Sequence, residues 1–263
     1  MFEEFQSFTV ITQRSPEVTI YGIKSGDSTS SLPPLLLIHG CPQSHYTWHC
    51  VAEQVTDRYT VIAIDRGYGV MDHLGDNNKP FFVCAYDRGA RVAHKLCIDF
   101  PDRIRKIIFL DICPTLAMYK STNFDFAKAY FHWFFLIQQE PVPETLINAA
   151  PRQFVELFLG GHQPKALEIF EKVNFEYYAS ILQQKAAVHA MCNDYRAGAT
   201  LDLEEAEADL EAGRLIMLPL MVLWSKYGVI EHSFNAIREW QNVKSPPPHS
   251  AHPSILPPLI NNT

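Results

Sequence analysis

The residue types that could do chemistry are concentrated around Asp87, in the stretch FFVCAYDRGARVAHKL that begins at Phe81. The first five residues form a short apolar run, which predicts a buried strand. Residues 88 to 100 place apolar side chains on one helical face, which predicts a helix. Asp87 therefore lies at a strand-to-helix corner, where a carboxylate can act as a nucleophile or can simply cap the helix.

Arg88 and Arg91 favour the chemical interpretation of this corner. They are three residues apart, so they share one face of the first helical turn, where the helix end is already positive. A sequence selected only for helix stability would place acids there. The two cations instead predict an anion site, because guanidinium groups bind carboxylates with paired hydrogen bonds. The same positive field is expected to keep Asp87 ionised.

Length and composition predict an ordinary globular protein. The chain has 263 residues, 47% of them hydrophobic, and can bury a large core. The acidic start, MFEEFQ, differs from a signal peptide, and the apolar run at 215–224 is too short to span a bilayer, so we expect a cytoplasmic protein without membrane contact. The formal charge of −7 without a Lys/Arg cluster argues against nucleic acid. The six cysteines form no C-x-x-C pair, so neither a metal site nor a disulfide framework is predicted.

Apolar strands alternate with helical segments, which predicts an α/β fold with a mostly parallel sheet. FTVITQ and EVTIYGIKSG are expected to form an opening hairpin. Buried strands are predicted at 34–40, 59–65, 80–85, 106–112 and 215–224. The predicted organisation is a core in two parts, 1–113 and 211–240, a helical cap at 114–210 that creates a dry cleft, and a proline-rich, disordered tail at 241–263.

Several motifs together resemble the haloacetate (fluoroacetate) dehalogenases of the α/β-hydrolase superfamily. The motifs are HGCPQSHYTWH (39–49), RGYG (66–69), YDRGARVAHKL (86–96), PDRIRKIIFLDICPT (101–115), AYFHWFFLIQ (129–138) and CNDYRAGATLD (192–202). The resemblance covers residues 20 to 240 and implies an α/β-hydrolase fold that uses no cofactor. It also implies a two-step reaction, in which an aspartate displaces halide from a small 2-haloacid and a histidine-activated water hydrolyses the resulting ester.

The resemblance assigns roles to the charged residues. Asp87 matches the nucleophile, and Arg88 and Arg91 match the clamp for the substrate carboxylate, in agreement with the charge argument. Asp111, in FLDICP, matches the acid that orients the histidine. Without the resemblance, a helix or turn cap before Pro114 would explain Asp111 equally well.

The resemblance also predicts the halide and oxyanion sites. The residues that match the halide site can each offer an N–H or O–H donor, and they are His132, Trp133 and Tyr195. Without the resemblance, FHWFF is best explained as aromatic core. The oxyanion donors are expected to be the backbone N–H groups of Cys41 and Arg88. His39 is expected to shape the loop rather than to act as a base.

The sequence departs from the family pattern in three places before the last strand. The elbow reads AYDRG instead of G-x-D-x-G, and this added bulk predicts strain at the corner. The DRGYG loop is one residue shorter than the usual motif. Residues 66–79 are too few for the family's crossover between two parallel strands, so one covering helix is expected to be missing and an apolar face to be exposed.

The fourth departure concerns the catalytic base. The family histidine follows the last strand, whereas the sequence after Trp240 is QNVKSPPPHSAHPSILPPLINNT. The candidates left for the base are His249 and His252, both among prolines. The chain therefore looks like a family member with two segments lost or replaced, whose activity is lost or limited to a single turnover unless one of these histidines serves.

Two functional hypotheses from different classes follow. The first is a dehalogenase-type hydrolase that acts on small carboxylates with a leaving group. The second is a non-catalytic or misfolded relative that at most binds small carboxylates. An epoxide hydrolase is a weaker third hypothesis, because caps of that class usually present two tyrosines. A small carboxylate is the expected partner, and a homodimer is left open.

Overall fold

The computed structural model describes residues 2–14, 17–26, 30–65, 71, 79–161 and 164–246. The described residues of Met1–Met118 and Asp209–Thr263 form one compact unit, and those of Tyr119–Ala208 form a second. The predicted boundaries at 113, 210 and 240, and the function of the middle segment as a cap, stay predictions. No helix in the described part of the chain is long and apolar enough to cross a membrane.

The first unit contains a sheet whose described strands follow the order β1-β2-β4-β3-β5-β6-β7. The strands are β1 (Phe5–Arg14), β2 (Glu17–Ser25), β3 (Pro34–Ile38), β4 (Thr60–Ile64), β5 (Phe81–Tyr86), β6 (Ile104–Leu110) and β7 (Leu220–Leu223). β1 and β2 form the expected antiparallel hairpin, β2 pairs antiparallel with β4, and the other pairs are parallel. The prediction of an α/β fold with a mostly parallel sheet is confirmed.

Short helices account for most of the remaining described chain. The α-helices are α1 (His49–Ala52), α2 (Arg88–Asp99), α3 (Thr115–Lys120), α4 (Phe124–Ala129), α5 (Phe131–Leu136), α6 (Val142–Ala149), α7 (Pro151–Gly160), α8 (Lys172–Ile181), α9 (Lys185–Gly198), α10 (Leu201–Glu211), α11 (Val229–Ser233) and α12 (Ala236–Asn242). Single 3-10 turns lie at His45–Trp48, Glu53–Val55, Pro101–Arg103 and Pro164–Ile169. The two boundaries between the units fall inside α3 and α10.

The core of the first unit follows from the apolar runs of the central strands. Ile38, Ile64, Ala85 and Phe109 are fully buried, each on a different one of these strands. Helix α2 packs against β5, β3 and β6. Most of its buried residues are small, namely Gly89, Ala90, Ala93 and Cys97, and this lets the helix approach the sheet closely. The sheet and α2 together fix the corner at which Asp87 lies.

The predicted strand at 215–224 is shorter in the structure. β7 contains only Leu220–Leu223, because Pro219 has no N–H to donate to a neighbouring strand. The carbonyl of Pro219 still accepts a hydrogen bond from the Ile107 N–H, at 3.1 Å. Ile216 forms an isolated bridge to Lys244 instead of continuing the strand.

The connection from β4 to β5 steps over one strand, because β3 lies between them. Residues 66–70 and 72–78 of this connection lie outside the described residues. The shortened RGYG loop and the missing covering helix therefore stay predictions.

The second unit is helical, without a strand in its described residues 119–161 and 164–208. An aromatic cluster surrounds Trp133, whose ring centroid lies 5.0 Å from that of Tyr119, 5.5 Å from Phe126 and 5.7 Å from Tyr130. The buried Glu144 of α6 pairs with Arg196 of α9, at 2.7 Å between oxygen and nitrogen. An aromatic core and a partly buried ion pair therefore hold these helices together.

Replacing Gly89 with alanine is expected to lower the free energy of unfolding by about 3 kcal/mol. The new Cβ would lie 2.5 Å from the His39 carbonyl oxygen and 2.6 Å from that of Ile38, and backbone atoms cannot move aside as a flexible side chain can. Gly213→Ala is the matched control in the same unit, because Gly213 has a φ of +68° and no atom within 4 Å of the added Cβ. The control should cost only about 1 kcal/mol of backbone strain. Equal losses for the two variants in urea unfolding would contradict the steric argument.

Candidate active site

Asp87 occupies a strained corner between β5 and α2. Its φ of 48° and ψ of −119° lie in a region that residues other than glycine rarely adopt, so the expected strain is present. Its N–H donates to the carbonyl of Leu110 at 3.1 Å, which continues the parallel ladder to β6. The side chain makes no capping hydrogen bond to α2. It accepts instead from the Cys41 N–H, at 2.9 Å from Oδ1, so the capping interpretation is wrong.

The contact between Cys41 and Asp87 depends on close backbone approach. A Cβ on Gly40 would lie 2.7 Å from Asp87 Cβ and 2.8 Å from its Oδ1. Gly89 allows the carbonyls of Ile38 and His39 to lie against the start of α2. The loop after β3 and the corner after β5 can therefore meet only where both of these residues are glycine.

Asp111 lies beside Asp87 at the same edge of the sheet. The register pairs Tyr86 with Leu110, so the two aspartates directly follow paired residues at the carboxyl ends of β5 and β6. Asp111 also has a positive φ, of 51°, and its N–H donates to the carbonyl of Leu223 at 2.8 Å. Adjacent parallel strands thus place two aspartates, both with left-handed backbone, next to each other.

The Asp111 carboxylate has a raised pKa. Burial is the main cause, and the negative charge of Asp87 adds to it, while a hydrogen bond from the Ser225 N–H at 3.3 Å opposes it. In the described part of the chain, Asp111 accepts this backbone hydrogen bond and none from a histidine. The role of Asp111 as the orienting acid stays a prediction.

Arg88 and Arg91 are both buried in the first turn of α2. Their exposed fractions are only 3% and 8%. Placing a guanidinium in such surroundings is costly unless an anionic group compensates it. Their burial beside Asp87 fits the carboxylate clamp, which stays a prediction.

Three residues next to this corner form a network that sequence reasoning largely missed. Asp65, directly after β4, accepts hydrogen bonds from the N–H and from Nδ1 of His45, each at 2.9 Å from Oδ1. His39 Nε2 lies 3.6 Å from the same oxygen. Burial alone would raise the pKa of Asp65, but the His45 hydrogen bond and the charges of His39 and His45 lower it overall. Sequence reasoning gave His39 a loop-shaping role and missed Asp65. A usable signal was present, because Asp65 directly follows a buried strand and the HG motif at residues 39–40 follows another.

The predicted halide residues lie in the second unit. His132 and Tyr195 are brought together, with ring centroids 6.1 Å apart. Trp133 and Tyr195 are buried, and His132 is half-buried. Trp133 has the surroundings of an aromatic core residue, so both interpretations of FHWFF stay open. His249 and His252, the candidates for the base, lie outside the described residues.

The fold and the aspartate at the strand-to-helix corner define an α/β hydrolase. A candidate α/β hydrolase from Nostoc sp. has a structure that superposes with a TM-score of 0.83 at 36% identity, covering 93% of this chain and 89% of that chain. A variant of a candidate epoxide hydrolase from Pseudomonas aeruginosa superposes with a TM-score of 0.80 at 30% identity, covering 92% and 86% of the two chains. The expected α/β-hydrolase fold is therefore confirmed.

Sequence comparison specifies the family. No family model matches the chain. The fluoroacetate dehalogenase of Burkholderia sp. is 33% identical over 264 residues, which cover 91% of this chain and 84% of that protein. The chain therefore belongs to the fluoroacetate dehalogenase family of the α/β-hydrolase superfamily, as its motifs predict. Epoxide hydrolase 1 of Caenorhabditis elegans is 24% identical over 79% of this chain, which spans 56% of that relative.

Asp111→Asn is expected to raise the free energy of unfolding at about pH 7. Because the pKa of Asp111 is higher in the folded state, its stabilising contribution exists at low pH and is lost as pH rises through the folded-state pKa. Asparagine stays neutral, so the gap to the native protein should narrow as the pH is lowered toward about 4.

Asp65→Asn is the matched control, with the opposite sign. The pKa of Asp65 is lowered by folding, so its stabilising contribution exists above the ordinary carboxyl range and is lost only as pH falls through the folded-state pKa. This variant should be less stable than the native protein at every pH from about 7 down to about 4. Urea unfolding across this range measures both variants, and the same sign for both would contradict the assigned environments.

Proposed function

We propose that this hydrolase displaces halide from small 2-haloacids through an ester on Asp87. The observation that carries the proposal is the Asp87 carboxylate, held at a strained corner by the Cys41 N–H and directly followed by two buried arginines. The relation to fluoroacetate dehalogenase supports this choice within the superfamily. An ionised carboxylate, a cationic clamp for the substrate and a donor for an oxyanion are the groups that such a reaction needs.

The first step is a displacement at the carbon that carries the halogen. Because Asp87 Oδ1 already accepts from the Cys41 N–H, we assign the attack to Oδ2. A bond forms between Oδ2 and the substrate carbon, the carbon–halogen bond breaks, and the halide leaves with the bonding electrons. Arg88 and Arg91 would hold the substrate carboxylate, which fixes the carbon in line with the nucleophile. His132, Trp133 and Tyr195 are the proposed donors to the departing halide.

The second step is hydrolysis of the ester. A water attacks the ester carbonyl of Asp87, and negative charge develops on Oδ1, where the Cys41 N–H already lies. The bond between the carbonyl carbon and Oδ2 then breaks, the 2-hydroxy acid leaves with a proton from the water, and the Asp87 carboxylate is restored. The backbone N–H of Arg88 is the second proposed oxyanion donor. The step also needs a base for the water, oriented by Asp111, and this contribution is typically worth about 100-fold to 10,000-fold. The candidates for this base are His249 and His252, both in the proline-rich tail. We propose that the first step proceeds and that the ester then accumulates, because neither histidine activates the water.

An epoxide hydrolase is the second candidate function. It is favoured by the relatives of that name in Caenorhabditis elegans and by the similar structure from Pseudomonas aeruginosa. It would use the same Asp87 nucleophile, but an epoxide carries no carboxylate for Arg88 and Arg91. Halide release from chloroacetate and fluoroacetate, compared with diol formation from styrene oxide, separates the two activities. A folded protein that shows neither supports the non-catalytic alternative.

Chloroacetate is expected to release one equivalent of halide and to leave one carboxymethyl group on Asp87. Intact mass spectrometry and peptide mapping measure the label. The experiment uses a Cys50→Ser background, because Cys50 is exposed and chloroacetate could alkylate its thiol directly. Asp87→Asn in the same background should remove the label.

Two outcomes would contradict this prediction in different ways. No label on Asp87 in a protein shown to be folded would support the non-catalytic alternative. Sustained turnover that is lost in His249→Ala or His252→Ala would show that the tail supplies the base and that both steps operate.

Arg91→Ala is expected to weaken the binding of glycolate, the product from chloroacetate, by at least about tenfold. Removing one partner of a desolvated charge pair commonly costs about 2 to 5 kcal/mol, and tenfold corresponds to only about 1.4 kcal/mol. Arg238→Ala is the matched control in the same unit, because the Arg238 side chain is exposed. Isothermal titration calorimetry in an Asp87→Asn background, which cannot react, measures the affinity. Unchanged affinity in Arg91→Ala would exclude the clamp.

A further inference from the structure

The peptide group between Gly40 and Cys41 is held from both ends. Its N–H, on Cys41, donates to Asp87 Oδ1 at 2.9 Å. Its carbonyl, on Gly40, lies 2.6 Å from Nδ1 of His39. A carbonyl oxygen can only accept, so Nδ1 of His39 must carry the proton. One side chain therefore fixes the plane of the peptide whose other end contacts the nucleophile.

Asp65 faces the other ring nitrogen of His39. His39 Nε2 lies 3.6 Å from Asp65 Oδ1, and the ring is 3% exposed. If Nδ1 alone were protonated, Nε2 would direct a lone pair at a carboxylate. The imidazolium form instead directs an N–H toward it. His45 supports this arrangement, since its N–H and Nδ1 both hold the Asp65 carboxylate in place.

We propose that His39 and Asp65 form a positioning pair, in which an imidazolium held by Asp65 fixes and polarises the Gly40–Cys41 peptide as the oxyanion donor to Asp87. The positive charge behind the carbonyl strengthens the peptide dipole, so the Cys41 N–H becomes a better donor to Oδ1. His39 acts through the peptide and touches neither substrate nor the reacting atoms.

The effect of the positioning pair on the reaction rests on the proposed function, because it acts on the ester at Asp87. It should accelerate hydrolysis of this ester more than its formation. In the resting protein, the Cys41 N–H binds one oxygen of a carboxylate that is already charged. During attack on the ester, the same oxygen passes from a neutral carbonyl to an anion, so a stronger donor lowers the barrier. Loss of His39 should therefore slow cleavage of the ester much more than its formation.

Hydroxylamine measures this effect without the enzyme's own base. Its nitrogen attacks the ester carbonyl of carboxymethylated Asp87, the bond to the glycolate oxygen breaks, glycolate leaves with a proton, and an aspartyl hydroxamate remains. We expect His39→Leu to slow this cleavage in the folded protein by at least about tenfold, and to leave the rate in urea-unfolded protein unchanged. The cleavage rate in folded His39→Asn should lie between those of the native protein and His39→Leu, because the asparagine amide can still donate to the Gly40 carbonyl. Equal rates in the folded proteins would overturn the proposal.

If Asp87 is never alkylated, the proposed function is refuted but the positioning pair is not. Two measurements on the protein without substrate then test the positioning pair. Nitrogen NMR of the histidine side chains should show both His39 nitrogens protonated, and Asp65→Asn should convert His39 to the neutral form. The Cys41 amide proton should exchange with solvent at least about tenfold faster in His39→Leu, and Asp65→Asn should also accelerate it. A neutral His39 in the native protein, or an unchanged Cys41 exchange rate in His39→Leu, would overturn the positioning pair.

Discussion

The approach of the loop after β3 to the corner after β5 is the contact on which the candidate site depends. It places the Cys41 N–H 2.9 Å from Asp87 Oδ1, and it requires glycine at positions 40 and 89. The contact lies at the end of three parallel strands, so the register of β3, β5 and β6 decides which residues can meet there. Buried apolar side chains hold that register, because a shift of one residue would turn the core face of a strand outward.

Two neighbouring strands, β5 and β6, are each directly followed by an aspartate with a positive φ, so strain is concentrated at this edge of the sheet. Each such backbone costs about 1 to 3 kcal/mol, which the surrounding sheet must offset. The raised pKa of Asp111 shows that the charge itself is also unfavourable where it lies. The aspartates at the carboxyl edge of the sheet thus lower the stability of the fold, relative to unstrained and uncharged residues. Such a loss is common where a protein binds or transforms a ligand.

Much of this arrangement could be predicted from the sequence, for identifiable reasons. The strands and α2 follow from apolar runs and helical periodicity, and the cations at Arg88 and Arg91 distinguish the corner from an ordinary helix start. The late start of β7, after Pro219, could have been predicted from the missing N–H alone. The positive φ of Asp111 could not, because it depends on its hydrogen bond to Leu223, 112 residues away in the chain. The network of Asp65 with His39 and His45 was missed for a similar reason, since periodicity describes elements and not the side chains that meet at their ends.

The burial of most of the thiols has a consequence for their reactivity toward alkylating compounds. Burial raises the pKa values of Cys84, Cys97 and Cys113 to about 12, so almost none of these thiols is ionised near neutral pH. Because the thiolate is the reactive form, a haloacid in the same solution would modify these positions very slowly. Among the six cysteines Cys50 is the exposed one, so alkylation of a thiol by such a compound is expected first at Cys50.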